Sequence, residues 1–149
     1  MTVVFREARA EDVMAVVGLL RDDALGAARE GAEQGHYEAA FDAMQAESGN
    51  NLIVGEVEGR IVATYQLTFV TGLSLRAARR AQIESVRVSS DLRGQGMGEA
   101  MLGDAETRAR AAGCSLMQLT MNANRIDSAR FYERLGFVGS HIGYKRELT

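Results

Sequence analysis

The chain has 149 residues, of which 46% are hydrophobic and 25% charged; that composition excludes an intrinsically disordered polymer, which lacks the apolar surface to form a core. Twenty acidic residues against 17 basic ones leave a net charge of -3, so there is no global attraction to a phosphate backbone or an anionic membrane surface. The single cysteine, Cys114, excludes an intrachain disulfide and suits a reducing cytoplasm.

In chain order, residues 3–7 (V-V-F-R-E) read as a first strand, and Ala10–Asp12 open a helix whose Val13, Val16, Val17 and Leu20 recur at helical spacing. Arg6, Glu7, Arg9, Glu11 and Asp12 stand where a signal peptide would be apolar, and no later apolar run approaches membrane-spanning length. A soluble, cytoplasmic protein of one domain, residues 1–149, is expected. Residues 22–35 hold Gly26, Gly31 and Gly35 among small and acidic residues, the pattern of a loose connection or broken helix. Tyr37, Phe41, Met44 and Gln45 then give a second helix its packing stripe, which Ser48–Asn51 end.

From Leu52 the period changes to two. The runs L-I-V-G-E-V and R-I-V-A-T-Y-Q-L-T-F-V, joined by Glu58-Gly59, predict an antiparallel hairpin. Residues 71–80 read as a long turn and 81–89 as a further strand; Arg76, Arg79 and Arg80 cluster there, more as a solvated rim than as a nucleic-acid patch. A helix over 97–112 places Met97, Met101, Ala105 and Ala109 on one face and ends at Gly113. Residues 115–121 predict a strand, Asp127 or Ser128 caps a short helix through Leu135, and Gly136 closes it. Phe137–Gly139 and Tyr144–Leu148 read as the last strand pieces, giving a mixed α/β domain with helices on a central sheet.

The most informative stretch is Leu92-Arg93-Gly94-Gln95-Gly96-Met97-Gly98, between a predicted strand and an amphipathic helix. The first amides of a helix lack intrahelical partners and sit at the positive end of its dipole, so a glycine turn that lets an anion approach them forms a phosphate site. The same glycines would also serve a plain strand-to-helix turn. A nucleotide-triphosphate loop is excluded, since Glu99 and Ala100 follow Gly98 where Lys-Ser or Lys-Thr is required. A dinucleotide fingerprint is excluded as well: Glu99 replaces its third glycine, and Cys114–Gln118 supply no ribose-binding acid.

The segment resembles the signature of the GNAT acyltransferase superfamily: Gln or Arg, two residues, Gly, one residue, then Gly or Ala, satisfied by Arg93, Gly96 and Gly98. Val86-Arg87-Val88 precedes it at the spacing of that family's bulged strand, F-Y-E-R-L-G-F at 131–137 resembles its second segment, and R-E-A-R-A-E-D-V at 6–13 is similar to its first strand and helix. The resemblance implies a mostly antiparallel sheet flanked by helices, with two splayed parallel strands forming a cleft for acetyl-CoA. It assigns the pyrophosphate to Arg93, Gly94, Gln95, Gly96, Met97 and Gly98, and the pantetheine arm to the backbone of Val86 and Val88. In the second segment this chain departs from the family pattern, carrying Arg125 and Ser128 with Asn124 one place early; these three are the candidate cofactor contacts there.

For catalysis the resemblance implies direct attack by an amine on the thioester. Tyr132 is the candidate acid toward the departing thiolate, its other reading being a core aromatic beside Phe131. Glu84 is the candidate base, its other reading a partner for Arg80 or Arg87, and partial burial would suit it to the role. Cys114 has no nearby histidine and is a poor nucleophile, while His36 and His141 make no metal site. Asp22, Asp23, Glu30 and Glu33 stand where the family gates its acceptor and would favour a cationic amine. A homodimer acting on an amine acceptor is expected, with no metal, nucleic acid or membrane; a non-catalytic acyl-CoA sensor or a protein-interaction module on the same fold is the alternative.

Overall fold

A computed structural model describes residues 2–22 and 24–149; Asp23, among the acidic candidates, lies outside them. The first strand, β1 (Val4–Glu7), leads through a 3-10 turn at Ala10–Asp12 into α1 (Val13–Arg21). The segment that follows is a broken helix, α2 (Ala24–Arg29) and then α3 (Gln34–Ala46), with Gly31 in the gap. The hairpin is β2 (Asn50–Val57) and β3 (Arg60–Thr71), turning at Glu58-Gly59, both with positive φ. Next come a single turn α4 (Ser74–Ala77), β4 (Arg79–Val88), a 3-10 turn at Ser90–Leu92, α5 (Met97–Ala111), β5 (Leu116–Leu119) and α6 (Ile126–Arg134).

The five strands form one sheet in sequence order, antiparallel from β1 to β4, with β4 and β5 parallel. Helices lie on both faces. Ile53, Tyr65, Leu67, Ala81 and Ile83 pack against Met101, Leu102, Ala105 and Ala109 of α5, so the four-residue repeat of that helix is its buried stripe. On the other face Val54 meets Val13, Val16, Val17 and Phe41 from α1 and α3. Each of those fully buried aliphatic side chains contributes about 1.5–3 kcal/mol by leaving water.

Polar anchors fix the layers. Tyr65, buried in the sheet, donates its phenol to Asp104 at 2.5 Å, and Arg108 donates to the same carboxylate at 2.8 Å and to the Phe5 carbonyl at 3.2 Å. At the other end Asp12 accepts two bonds from Arg6, at 2.7 and 3.1 Å, and one from the Arg9 amide at 2.7 Å, closing the entry to α1.

Four sequence expectations are corrected. The turn over 71–80 is shorter, because β3 and β4 stay paired out to Thr71 and Arg79; Leu75, Arg76 and Ala77 reverse the chain with φ of 55°, 61° and 59°. The strand over 115–121 shortens to Leu116–Leu119, where its pairing with β4 ends. Neither Asp127 nor Ser128 caps α6, since Arg125 is the N-cap residue and makes no side-chain cap bond. Finally, Phe137–Gly139 and Tyr144–Leu148 are not strands, because no described strand lies beside them.

Asp12 yields a pH test. The Arg6 guanidinium holds its carboxyl below the usual carboxylate value, against the opposing effect of burial. A depressed native pKa means stabilisation that is present above the unfolded value of about 4 and is lost as pH falls through the native one. Asp12→Asn is therefore expected to cost about 1–3 kcal/mol at neutral pH, with the gap from wild type closing as pH drops below about 4; urea unfolding across that range measures it.

Candidate active site

β4 and β5 pair from Arg80↔Leu116 to Ile83↔Leu119 and no further. β4 continues to Val88 while β5 stops, so the two strands part at Glu84 and a cleft opens. Just past the parting Ser85 has a φ of 54° and the β3–β4 register shifts between Thr64 and Gln66. This bulge turns Val86 and Val88 toward the core on the α5 side, where both are partly buried. The β4 edge that faced β5 lacks a strand partner from Glu84 onward, among the described residues.

The glycine turn closes the inner end of the cleft. Arg60 holds Asp91 through two bonds at 2.8 and 3.0 Å and donates to Ser89 at 2.9 Å, and Ser89 donates in turn to Asp91. This triad fixes the 3-10 turn that delivers Arg93 through Gly96, all exposed, to the start of α5. Gly94 and Gly96 have φ of 77° and 81°, a region costly for any residue with a Cβ. Gly96 is the N-cap and no side chain caps α5. The first amides of the helix are thus left for an external acceptor, at the positive end of the helix dipole. Gly98 faces α6, where an added Cβ would come within 3.1 Å of the Phe131 ring.

The α6 segment forms the other wall. Phe131, Tyr132, Leu135 and Phe137 pack against the same core as Val86 and Val88, and Tyr132 meets Phe131 and Phe137 edge-on at 5.2 and 5.9 Å. Burial raises the Tyr132 phenol above its ordinary value, with Arg125 and Arg87 pulling the other way. The ring is therefore both a packing residue and a protonated hydroxyl near two cations. Asn124 and Arg125 are exposed on a turn in which Asn122 accepts from both their amides, at 2.9 and 3.0 Å, and Ser128 is half-buried one turn into α6. Arg134 lies over the Phe131 ring at 5.7 Å.

Glu84 sits at the parting of the strands, paired in register with Gln66, and is exposed; the partial burial expected of it is absent. Beside it a cavity of about 120 Å³ lies between α1, α3 and the sheet, lined by Val17, Leu20, Phe41 and Met44 with Gln66 and Ser85 at the cleft side. Asp22 was read as part of an acceptor gate, and the structure adds a contact that its position in sequence does not reveal. Arg93 donates to the Asp22 carbonyl at 3.3 Å and approaches its carboxylate at 3.9 Å, tying the end of α1 to the glycine turn. Glu30 accepts from the Tyr37 hydroxyl at 2.9 Å, which braces α2 against α3. Sequence reasoning also missed Arg60 and Asp91, which are 31 positions apart and meet only across the β3–β4 pairing. Among the described residues no cluster of His, Cys, Asp and Glu could hold a metal ion, and no helix is long and apolar enough to cross a membrane.

Residues 17–137 match the model of the acetyltransferase (GNAT) family. A solved transcriptional regulator from Bacillus halodurans C-125 is similar at 41% identity and a TM-score of 0.93, over 99% of this chain and all of that one. A predicted acetyltransferase with acetyl-CoA from Clostridium acetobutylicum shares the fold at 16% identity and a TM-score of 0.74, over 97% of this chain and 96% of the other. The aminoalkylphosphonate N-acetyltransferase of Salmonella typhimurium is 39% identical over 67 residues, so the match spans under half of each chain, 45% of this one and 44% of that.

The glycines separate into distinct tests. Gly96→Ala places a Cβ on a left-handed residue and is expected to cost about 1–2 kcal/mol. Gly98→Ala, which must displace the Phe131 ring, should cost about 1 kcal/mol. Gly103→Ala, in the middle of α5 with open space around it, should gain about 0.5–1 kcal/mol. Thermal or denaturant unfolding of the three variants reads the order directly.

Proposed function

Because the chain belongs to the acetyltransferase (GNAT) family, we propose that it transfers an acetyl group from acetyl-CoA to a primary amine by direct attack. The observation that carries this reading is the β4 edge left unpaired beyond Ile83, lying beside the uncapped start of α5. The two features suit the two halves of one ligand. A diphosphate fits the α5 amides behind Gly94, Gln95, Gly96, Met97 and Gly98, with Arg93 as a charged donor at the rim. A pantetheine arm, which carries amides of its own, fits the open edge at Val86 and Val88 as an added strand. Asn124, Arg125 and Ser128 border the same ligand from α6, and the cation of Arg125 suits its phosphates.

Chemistry then falls to the two groups flanking the parting of the strands. An alkylamine attacks only when neutral, and at neutral pH it is almost wholly protonated. Glu84 takes the proton, directly or through a water, and the nitrogen lone pair forms the new C–N bond at the thioester carbon. As the C–S bond breaks, the thiolate accepts a hydrogen bond from Tyr132. A phenol held above its ordinary pKa of about 10 stabilises a thiolate by donation more than by surrendering its proton. Exposed Glu84 gains the desolvation that a base requires when the occupied cleft covers it.

The acceptor enters from the α1–α3 side, where Asp22, Glu30 and Glu33 favour a cation and the cavity beside Ser85 accepts an apolar body. We take the working form to be a single-domain, cytoplasmic homodimer. The second reading, a non-catalytic acyl-CoA sensor or interaction module, is favoured by the name of the Bacillus halodurans relative; it needs the same ligand site and neither Glu84 nor Tyr132.

Titration calorimetry with CoA should give a binding heat, and a panel of primary amines incubated with acetyl-CoA should release thiol. No heat would remove the coenzyme assignment, and heat without transfer to any amine would favour the sensor. Glu84→Gln and Tyr132→Phe are each expected to lower kcat by about 10²–10³-fold with CoA affinity changed little. Because the Tyr132 phenol is raised, its ionisation should cause no loss of rate between pH 8 and its ordinary value of about 10; a fall in that interval that vanishes in Tyr132→Phe would contradict the direction.

A further inference from the structure

The segment after α6 is the most exposed apolar surface of the chain. Val138, Ile142, Tyr144 and Leu148 are 82%, 79%, 92% and 91% exposed. All four occupy even positions, with Ser140 and Arg146 between them, while Gly139, His141, Gly143, Lys145 and Glu147 take the odd ones. An alternation of two is the pattern of a strand with one face against a core, yet no described residue beyond α6 belongs to a strand.

The same chain also carries an unfilled seat for a strand. β5 is the last strand of the sheet and is paired only with β4, so its outer edge presents unpaired peptide groups. The tail does not fill its own edge. It is pinned at its root by the bond from the Phe137 amide to the Tyr132 carbonyl, at 3.0 Å. It then passes the far end of β5, where the Cβ direction of Gly143 meets the Thr120 methyl at 3.9 Å.

An unseated strand and an empty edge on one chain are self-complementary, and two copies related by a two-fold axis satisfy both at once. The geometry points to a dimer in which residues 138–149 of each copy add a strand to the β5 edge of the other. This rests on the homodimer reading above and gives it a structural mode. A strand of that length on an edge buries on the order of 1,000 Å² counting both sides, and two symmetric seats about double it, which reaches the size of stable interfaces. The seat adjoins Thr120, where β4 and β5 part, so each copy would brace one wall of its partner's cleft.

Sedimentation velocity on the full chain should show a dimer, and Ile142→Asp with Tyr144→Asp should convert it to a monomer that keeps its far-ultraviolet dichroism and its heat of CoA binding. In a Cys114→Ser background, mixing Gln118→Cys chains with Lys145→Cys chains under oxidation should give a covalent mixed dimer that neither yields alone. A monomeric wild type overturns both the exchange and the homodimer. A dimer that survives the double substitution overturns the exchange alone. Should the double variant not fold, the mixed cross-link decides, and its absence overturns the exchange. Acetyl transfer is measured separately, so a monomer that still transfers acetyl leaves the enzymatic reading intact.

Discussion

The structure depends on the point at which two parallel strands stop pairing. As far as Ile83 and Leu119 the β4–β5 ladder is regular; beyond it β4 runs on without its partner. Buried peptide groups left without partners are costly, so an edge opened this way demands water or a ligand with amides. The opening is held by construction. The Ser85 bulge bends β4 away, and the aromatic residues of α6 pack against the same core as Val86 and Val88. A coenzyme with a peptide-like arm and a diphosphate head matches both parts of the space, the open edge and the helix start beyond it.

Aiming that helix start is a separate task, performed by residues remote in sequence. Arg60, at the start of β3, clamps Ser89 and Asp91, and the clamp draws the Asp91 carboxyl well below the usual carboxylate range. Its charge therefore persists at any pH the fold would meet. From that fixed point the chain needs only two left-handed glycines to enter α5 with its amides bare. Arg93 extends the arrangement outward to Asp22, so the phosphate end of the cleft and the acceptor side are in contact before anything binds.

Much of this was legible in the residues. The alternation of β2 and β3, the four-residue spacing of Met97, Met101, Ala105 and Ala109, and the glycine turn between strand and helix each describe a local pattern, and local patterns survive in a linear sequence. What escaped is non-local. The Arg60–Asp91 pair exists only because β3 lies against β4, and the exposure of Glu84 depends on where β5 ends. The same reason explains the misread tail: Tyr144–Leu148 has the composition of a strand, but a strand is defined by a neighbour. The cap of α6 was misplaced because Asp127 and Ser128 have the right side chains, whereas the Asn122 turn sets the helix start at Arg125.

The reversal between β3 and β4 has a consequence for how much stability the chain could hold. Leu75, Arg76 and Ala77 form a left-handed turn closed by bonds from the Ala77 amide to Leu73 and from the Ala78 amide to Ser74. Side chains with a Cβ resist that hand by about 1–2 kcal/mol per residue, against a total stability for a domain of about 5–15 kcal/mol. Glycine at one of these three sites would release part of that strain without touching core or cleft, so the native sequence sits below the thermal tolerance its own backbone allows.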